Sequence, residues 1–227
     1  MKSILESLRG GLIVSCQAPV DSPLHNAAAI AAMAEAALNR GAIGVRIDTP
    51  DHIQAVRARC KHPIIGLWKQ VMPPSEVYIT PQFHHAEAVA QAGSDIIAVD
   101  ATQRLRPSGE TLGHIIQQIH QHLGRPVMAD VDTLDNALKA IDAGADCVGS
   151  TLFGYTAETR TETPPGFDLL KAMVARCSVP VICEGGIASP NQAKQALDLG
   201  AYAVVVGTAI TGIDYLVQHY VSALDRP

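Results

Sequence analysis

GADCVGST, at Gly144–Thr151, contains the pattern that decides the fold: a glycine, a small residue and then a short apolar run. Glycine tolerates the left-handed backbone conformation in which many helices end. The pattern therefore predicts the end of a helix followed by a β-strand. It occurs at three other places, GAIGVRI (Gly41–Ile47), GSDIIAVD (Gly93–Asp100) and GAYAVVVGT (Gly200–Thr208).

A second kind of strand alternates with the first. In HPIIGLWK (His62–Lys69), RPVMAD (Arg125–Asp130) and VPVICEGG (Val179–Gly186), a proline precedes the apolar run. Proline suits the first residue of a strand, where no backbone donor to the ladder is needed. With GLIVSCQ (Gly11–Gln17) as the opening strand, the alternation predicts eight strands.

The segments between the strands carry the signals of helices. Asn26–Arg40 is rich in alanine, and Thr133–Ala143 and Ser189–Leu199 each begin at a hydroxyl residue that can cap a helix. A further helix is expected to begin at Thr80-Pro81 and to end at Gly93.

Apolar strands that alternate with helices are typical of parallel βαβ units. Eight such units in 227 residues match the size of a TIM barrel. We therefore predict an α/β fold, a single (β/α)8 TIM barrel that forms one catalytic domain over residues 1–227. An open, doubly wound sheet is the alternative, but it usually carries a glycine-rich first turn, and none follows Gln17.

Composition limits the partners. The net charge is −5 and no run of lysine or arginine occurs, which argues against nucleic acid. No apolar stretch is long enough to span a membrane, and no signal peptide is expected. The five cysteines include no C-x-x-C pair, a pattern that predicts reduced thiols in a cytoplasmic protein.

Polar residues stand at the carboxyl ends of the predicted strands, where TIM barrels carry their chemistry. Counted from the proline, Lys69, Asp130 and Glu184 share one parity, and counted from the glycine, Arg46, Asp100, Thr151 and Gly207 share one parity. Each shared parity places the side chains on one side of an unbulged strand. The residues at the strand ends are Gln17, Arg46, Lys69, Asp100, Asp130, Ser150, Thr151, Glu184, Gly207 and Thr208.

Lys69 follows an apolar strand, and burial there would lower its pKa toward that of a general base. Together with Asp130 and Glu184 it would supply the parts for proton transfer beside a carbonyl. The residues leave alternatives open: the lysine extends to solvent, or the two carboxylates only neutralise it. Arg46 offers a planar fork for phosphate or carboxylate, or pairs with Asp48.

The loops after the last two strands predict a phosphate site. Gly185, Gly186, Gly207 and Thr208 would allow backbone N–H groups to approach an anion closely. Tight turning alone is the alternative. His84, His85, His114, His120 and His122 fall on predicted helices and His25 just before one, away from the strand ends, so no metal site is expected.

The sequence resembles the N-acetylmannosamine-6-phosphate 2-epimerases of sialic-acid catabolism over nearly its whole length. The combination of VSCQ, DAT-x-R-x-RP and VG-[ST]-TL-x-GYT carries the resemblance. The matching segments are GLIVSCQA (Gly11–Ala18), SPLH (Ser22–His25), GAIGVRIDTP (Gly41–Pro50), PIIGLWK (Pro63–Lys69), VYITPQ (Val77–Gln82), DIIAVDATQRLRPSGETL (Asp95–Leu112), MADV (Met128–Val131), GADCVGSTLFGYT (Gly144–Thr156) and EGGI (Glu184–Ile187).

The resemblance implies a cofactor-independent isomerase that interconverts N-acetylmannosamine 6-phosphate and N-acetylglucosamine 6-phosphate. It implies that Lys69 abstracts the proton and that Glu184 is its partner carboxylate. It also implies two sets of binding residues. Gln17, Arg46 and Asp130 hold the sugar and its N-acetyl group, and Gly185, Gly186, Gly207 and Thr208 bind the phosphate. From their place at a strand end, Ser150 and Thr151 are expected to bind the substrate as well.

Two positions depart from the family pattern. Gly186 and Gly212 stand where many relatives have arginine, which would leave the phosphate to backbone donors or mark another substrate. The alternatives are another phosphosugar isomerase or aldolase, and a catalytically silent phosphosugar-binding barrel. The apolar segment Ile213–Leu224 either forms a homodimer contact or packs on its own barrel.

Overall fold

The computed structural model of the protein describes residues 4–224. Eight parallel strands form a closed barrel in the order of the sequence. Strand β1 pairs with β8, with Leu12 opposite Val204, and this pairing closes the barrel. The strands are β1 (Leu12–Cys16), β2 (Gly44–Asp48), β3 (Ile64–Leu67), β4 (Ile96–Asp100), β5 (Val127–Asp130), β6 (Cys147–Gly149), β7 (Val181–Glu184) and β8 (Ala203–Val206).

Helices follow the strands and surround the barrel. They are α1 (Ala27–Leu38), α2 (Pro50–Arg57), α3 (Phe83–Gln91), α4 (Leu112–Gln118), α5 (Leu134–Asp142), α6 (Phe167–Arg176), α7 (Pro190–Asp198), α8 (Thr208–Thr211) and α9 (Ile213–Leu224). The predicted (β/α)8 fold and all eight predicted strands are confirmed.

The glycines that identified four of the strands have the expected backbone conformation. Gly41, Gly93, Gly144 and Gly200 have φ of 96°, 105°, 103° and 98°, a region that side chains other than glycine's rarely occupy. Each stands between the end of a helix and the next strand. The repeated sequence pattern is thus a repeated chain reversal.

Three of the predicted helix starts are confirmed by their caps, and one is wrong. The side chain of Asn26 accepts a hydrogen bond from the N–H of Ala29. Thr133 accepts a hydrogen bond from the N–H of Asn136, and Ser189 does so from Gln192. Helix α3 begins at Phe83 rather than at Thr80. At Thr80 the chain bends, with φ of 44°, and its N–H donates to the carbonyl of Trp68 next to the antiparallel bridge of Lys69 and Ile79. The helix therefore cannot begin there.

Apolar side chains form two layers. One lies between the strands and the helices, and the other fills the barrel interior. The interior layer takes alternate residues of most strands, such as Ile13 on β1, Leu67 on β3 and Ile182 on β7. Followed toward the carboxyl ends, the same alternation leads from Leu67 to Lys69 and from Ile182 to Glu184. These are polar strand-end residues whose common orientation was predicted from the sequence.

Helix α9 differs from the others, since none of its described side chains is buried. Within residues 4–224, no helix is both long and apolar enough to cross a membrane. All five cysteines are free thiols, as expected.

Candidate active site

A buried cluster of three charged side chains lies at the carboxyl end of the barrel. The guanidinium of Arg46 binds both carboxylate oxygens of Asp130, at 3.0 and 2.6 Å. Its Nη1 also lies 3.0 Å from Oε2 of Glu184. Arg46 and Asp130 are only 1% and 0% exposed. The predicted alternative, a pairing of Arg46 with Asp48 at the rim, is therefore not the arrangement found.

Burial and charge act against each other in this cluster. Burial lowers the pKa of Arg46, but the carboxylates of Asp130 and Glu184 together raise it by more than burial lowers it, so the guanidinium stays charged. Burial raises the pKa of Glu184 and Asp130 adds to that effect, while Arg46 opposes it. The site thus holds a carboxyl group that accepts a proton more readily than an exposed glutamate does.

The two hydroxyl residues after β6 have different surroundings. Thr151 Oγ1 lies 2.6 Å from Oδ1 of Asp130 and 3.2 Å from Oε2 of Glu184, so it belongs to the charged cluster. Ser150 is turned away from it. Its hydroxyl donates to the carbonyl of Glu184 and accepts from the N–H of the same residue, at 2.9 and 3.1 Å. Ser150 therefore fixes the backbone that carries Glu184.

Lys69 stands apart from the carboxylates. Its Nζ donates to Oε1 of Gln17 at 2.5 Å, and the amide nitrogen of Gln17 donates in turn to Oγ of Ser15. The lysine side chain is open to the barrel mouth, yet the surrounding protein removes enough water to lower its pKa. Nearby Arg46 also lowers it, while Asp48 and the cluster carboxylates oppose the shift without reversing it. The carboxylates mainly neutralise Arg46, which leaves Lys69 without a direct ion pair within residues 4–224.

A short hairpin holds Lys69 in place. Its backbone forms an antiparallel bridge with Ile79, and its N–H donates to the Asp48 carboxylate at 2.9 Å. The second arm of the hairpin carries Tyr78, whose phenol has a pKa raised to about 12 by burial and by nearby Asp130 and Asp100. Tyr78 is therefore a neutral hydrogen-bond donor beside the lysine.

These groups face one cavity of about 810 Å³ at the barrel mouth. The cavity brings together most of the predicted site residues. Asp130 lies beneath it, behind Arg46, and Ser150 lies behind Glu184. The predicted residues that line the cavity are Gln17, Arg46, Lys69, Thr151, Glu184, Gly185, Gly186, Gly207 and Thr208.

The glycines after β7 form one end of this cavity. Gly185 and Gly186 have φ of 103° and 67°, and within residues 4–224 no acceptor binds their backbone N–H groups or that of Ile187. The first N–H groups of α8, at Thr208 and Ala209, have no partner inside the helix. Several free N–H groups thus surround one space, an arrangement that suits an anion.

Sequence reasoning missed four aromatic residues that line the cavity: Tyr78, Tyr155, Tyr215 and His219. None of them ends a strand, the only position at which the strand pattern can identify a site. Tyr78 lies in VYITPQ and Tyr155 in GADCVGSTLFGYT, two of the segments that carry the family resemblance. Tyr155 lies on the β6–α6 loop and Tyr215 and His219 on α9, and only the tertiary structure brings these three to the mouth.

Asp100 also ends a strand but has a structural role. It is fully buried, and Oδ2 accepts from Arg104 at 2.6 Å while Oδ1 accepts from the Thr102 hydroxyl at 2.7 Å. Arg106 donates to the Asp100 carbonyl and to that of Pro81. The DAT-x-R-x-RP motif thus connects the loop after β4 to the start of α3.

A separate groove of about 710 Å³ lies beside Trp68. Its described lining residues do not combine a lysine with carboxylates, as those of the cavity at the barrel mouth do.

The chain is similar to known proteins over nearly its whole length. A family profile described as "Putative N-acetylmannosamine-6-phosphate epimerase" matches residues 30–226. A protein of Synechococcus elongatus named "Putative N-acetylmannosamine-6-phosphate 2-epimerase" is 60% identical over 226 residues, which cover 98% of this chain and 97% of that protein. The chain belongs to the N-acetylmannosamine-6-phosphate 2-epimerase family.

Further members of this epimerase family cover nearly all of the chain. A relative from Thermosynechococcus vestitus is 61% identical over 222 residues, 98% of this chain and 96% of its own length. The solved structure of the N-acetylmannosamine-6-phosphate 2-epimerase from Clostridium perfringens is 39% identical and superposes with a TM-score of 0.94, covering 98% of this chain and 96% of that one. The resemblance seen in the sequence is confirmed.

The structure explains why this epimerase chain has glycine at two positions where the family pattern led us to expect arginine. A Cβ atom at Gly186 would lie 2.4 Å from Cβ of Pro164, and one at Gly212 would lie 2.8 Å from Cα of Thr208. Both distances are shorter than non-bonded carbon atoms tolerate. At both positions the surrounding chain is packed against a residue without a side chain.

Proposed function

We propose that the protein is a cofactor-independent epimerase that interconverts N-acetylmannosamine 6-phosphate and N-acetylglucosamine 6-phosphate. The observation that carries the proposal is Lys69, an amine of lowered pKa that faces the cavity and is bound to an uncharged amide rather than to a carboxylate. The enzyme is one catalytic domain spanning residues 1–227, and its substrate is a small amino-sugar phosphate.

Lys69 acts as the base. The hydrogen on C2 of the open-chain sugar is acidic because C2 is adjacent to the aldehyde carbon C1. Neutral Lys69 takes this proton, and the electron pair of the C2–H bond forms the C1–C2 double bond of an enolate, which places the negative charge on the C1 oxygen. Return of a proton to the opposite face of C2 inverts the centre and regenerates the aldehyde.

Glu184 stabilises the enolate. Because its pKa is raised, its carboxyl group is able to carry a proton and to donate a hydrogen bond to the C1 oxygen as charge develops there. Arg46, 3.0 Å from Glu184, adds positive charge on the same side. Asp130 positions Arg46 through the two-point contact, and Thr151 bridges the carboxylates.

The other predicted site residues hold the substrate. Gln17, Arg46 and Thr151 line the cavity where the sugar and its N-acetyl group bind. Asp130 and Ser150 support that wall from behind. The phosphate lies at the glycine-rich end, against the free N–H groups of Gly185, Gly186 and Thr208, and no metal takes part.

Isotope exchange tests the reaction. The enzyme is incubated in D₂O with N-acetylmannosamine 6-phosphate and, separately, with the unphosphorylated sugar, and both epimers are followed by ¹H NMR. We expect the phosphorylated sugar to be converted, with deuterium entering C2. Conversion over many turnovers with no deuterium at C2 in either epimer would contradict deprotonation into an exchanging pool.

An imine mechanism is the second candidate, since a desolvated lysine of lowered pKa is also suited to form a Schiff base. Borohydride reduction in the presence of the sugar phosphate separates the two. Mass spectrometry should show unmodified Lys69 if the lysine is only a base, and an alkylated Lys69 if an imine forms. Binding of the sugar phosphate without turnover would identify a silent binding protein.

A homodimer and a cytoplasmic location complete the proposal. Helix α9 carries an exposed apolar stripe at helical spacing, formed by Ile213, Val217, Tyr220, Val221 and Leu224. We propose that this stripe packs against a second copy of the chain. Light scattering should give twice the chain mass for the native protein and the monomer mass for Val217→Lys. A native protein of monomer mass would contradict the contact.

The five free cysteines support the cytoplasmic location, because thiols stay reduced in a reducing compartment.

A further inference from the structure

The phosphate end of the cavity holds no strong base. Among the described residues that line the cavity, only Arg46 and Lys69 are arginine or lysine. The charge of Arg46 is taken up by Asp130 and Glu184, and Lys69 must be neutral to act as the base. The walls therefore offer little net positive charge to a phosphate group, which carries between one and two negative charges at neutral pH.

His219 is a further basic side chain at this cavity. It lies on α9 and lines the same cavity as Gly185, Gly186 and Gly207. Its ring stacks on that of Tyr215, one helical turn earlier, with centroids 6.2 Å apart and planes inclined by 3°. Among residues 4–224 its ring nitrogens meet no hydrogen-bond partner, so they are available to a ligand.

Helix α9 has two separate faces. Tyr215, Leu216 and His219 face the cavity, whereas the apolar stripe defined above is exposed on the other side. With 3.6 residues per turn, these two sets cannot share one face. A contact made by His219 in the cavity thus leaves the stripe free for the second copy.

We propose that His219 is the side chain that binds the phosphate group of the sugar phosphate, and that Tyr215 positions its ring. This inference rests on the proposed function and deepens it, because it assigns the discrimination between phosphorylated and unphosphorylated sugar to the last helix. The imidazole donates an N–H to a phosphate oxygen, alongside the backbone N–H groups of Gly185 and Gly186.

The experiment measures binding and turnover on the same proteins. Wild type, His219→Ala and His219→Gln are titrated calorimetrically with N-acetylglucosamine 6-phosphate and with N-acetylglucosamine, and KM and kcat are measured by NMR. The matched control is His114→Ala, which removes an exposed histidine on α4, outside the cavity. Circular dichroism confirms that each variant is folded.

We expect His219→Ala to weaken binding of the phosphorylated sugar about tenfold, equivalent to about 1.4 kcal/mol, with the loss in KM rather than in kcat. His219→Gln, which retains an N–H donor, should recover part of the affinity, and His114→Ala should match wild type. Unchanged affinity in His219→Ala, or an equal loss for both sugars, overturns the inference. If wild type binds the phosphorylated sugar without turnover, the proposed function fails while the binding comparison still tests His219.

Discussion

Nζ of Lys69 and Oε1 of Gln17 lie 2.5 Å apart at the barrel mouth, although β2 separates their strands in the sheet. The acceptor is a neutral amide. A carboxylate at the same place would stabilise the ammonium form and raise the lysine's pKa, whereas an amide does so much less. The contact therefore orients Lys69 without holding it in the charged state, which a base at the mouth requires.

Replacement of Lys69 should abolish the reaction and leave the fold intact. We expect Lys69→Ala and Lys69→Arg each to reduce kcat at least about 10³-fold, because alanine has no base and a guanidinium does not lose its proton. Product formation is followed by ¹H NMR. The matched control is Lys139→Ala, which removes an exposed lysine paired with Asp135 and should retain full activity. Near-normal turnover by Lys69→Arg would remove the lysine from the base role.

The pH dependence of kcat/KM should report the state of Lys69. Its neutral form is the active one, so activity rises with pH through the lysine's pKa, and this rise lies below about 10.4 because the pKa is lowered. Gln17→Glu, which places a carboxylate beside Nζ, should move the rise to higher pH. Gln17→Met, which removes the acceptor without adding charge, should not move the rise to higher pH. A rise at higher pH in both variants would contradict the assignment of this pH dependence to Lys69.

The Arg46–Asp130 pair should matter greatly for stability. Asp130→Ala leaves a buried guanidinium with only Glu184 as a charged partner, and we expect the free energy of unfolding in urea to fall by about 3–5 kcal/mol. Asp135→Ala breaks an exposed pair on α5 and should cost less than about 1 kcal/mol. Similar losses in both variants would show that burial of the cluster is not what stabilises it.

Glu184 should make stability depend on pH. Because burial raises its pKa in the folded state, the folded protein binds this proton more tightly than the unfolded chain does. Stability from this group is present at low pH and is lost as pH rises from about 4.3, the ordinary glutamate value, to the raised pKa. Urea titrations across this window should show a smaller decline for Glu184→Gln than for wild type; an equal decline would exclude Glu184 as its source.

Gly186 should tolerate no side chain. Gly186→Ala meets both an unfavourable positive φ of 67° and Pro164 at 2.4 Å. Gly124 has φ of 60° with nothing within 4 Å of an added Cβ, so Gly124→Ala isolates the backbone cost, about 1–2 kcal/mol. We expect Gly186→Ala to lose a further ~1–3 kcal/mol from crowding. If urea unfolding shows the same loss of unfolding free energy for both variants, the chain around Pro164 moves away from the added methyl group at no cost.

The positions of the strands and the direction of the strand-end side chains followed from the sequence. The glycine that ends each helix and the proline that begins a strand act within a few residues, and side-chain alternation is a property of one strand. This is why Arg46, Lys69 and Glu184 were expected at one mouth before any contact was known. Thr80 was misplaced because a hairpin with Trp68 competes there with the helix start.

The partners of those side chains were decided only by the tertiary structure. Arg46 has Asp48 two residues away, yet it binds Asp130, 84 residues along the chain, because barrel closure places β2 and β5 across one interior. The same closure places His219 of α9 and the glycines after β7 around one cavity. Local propensity determines where strands begin and which way a side chain points, whereas ion-pair choice depends on distances through the interior, and no local pattern encodes these.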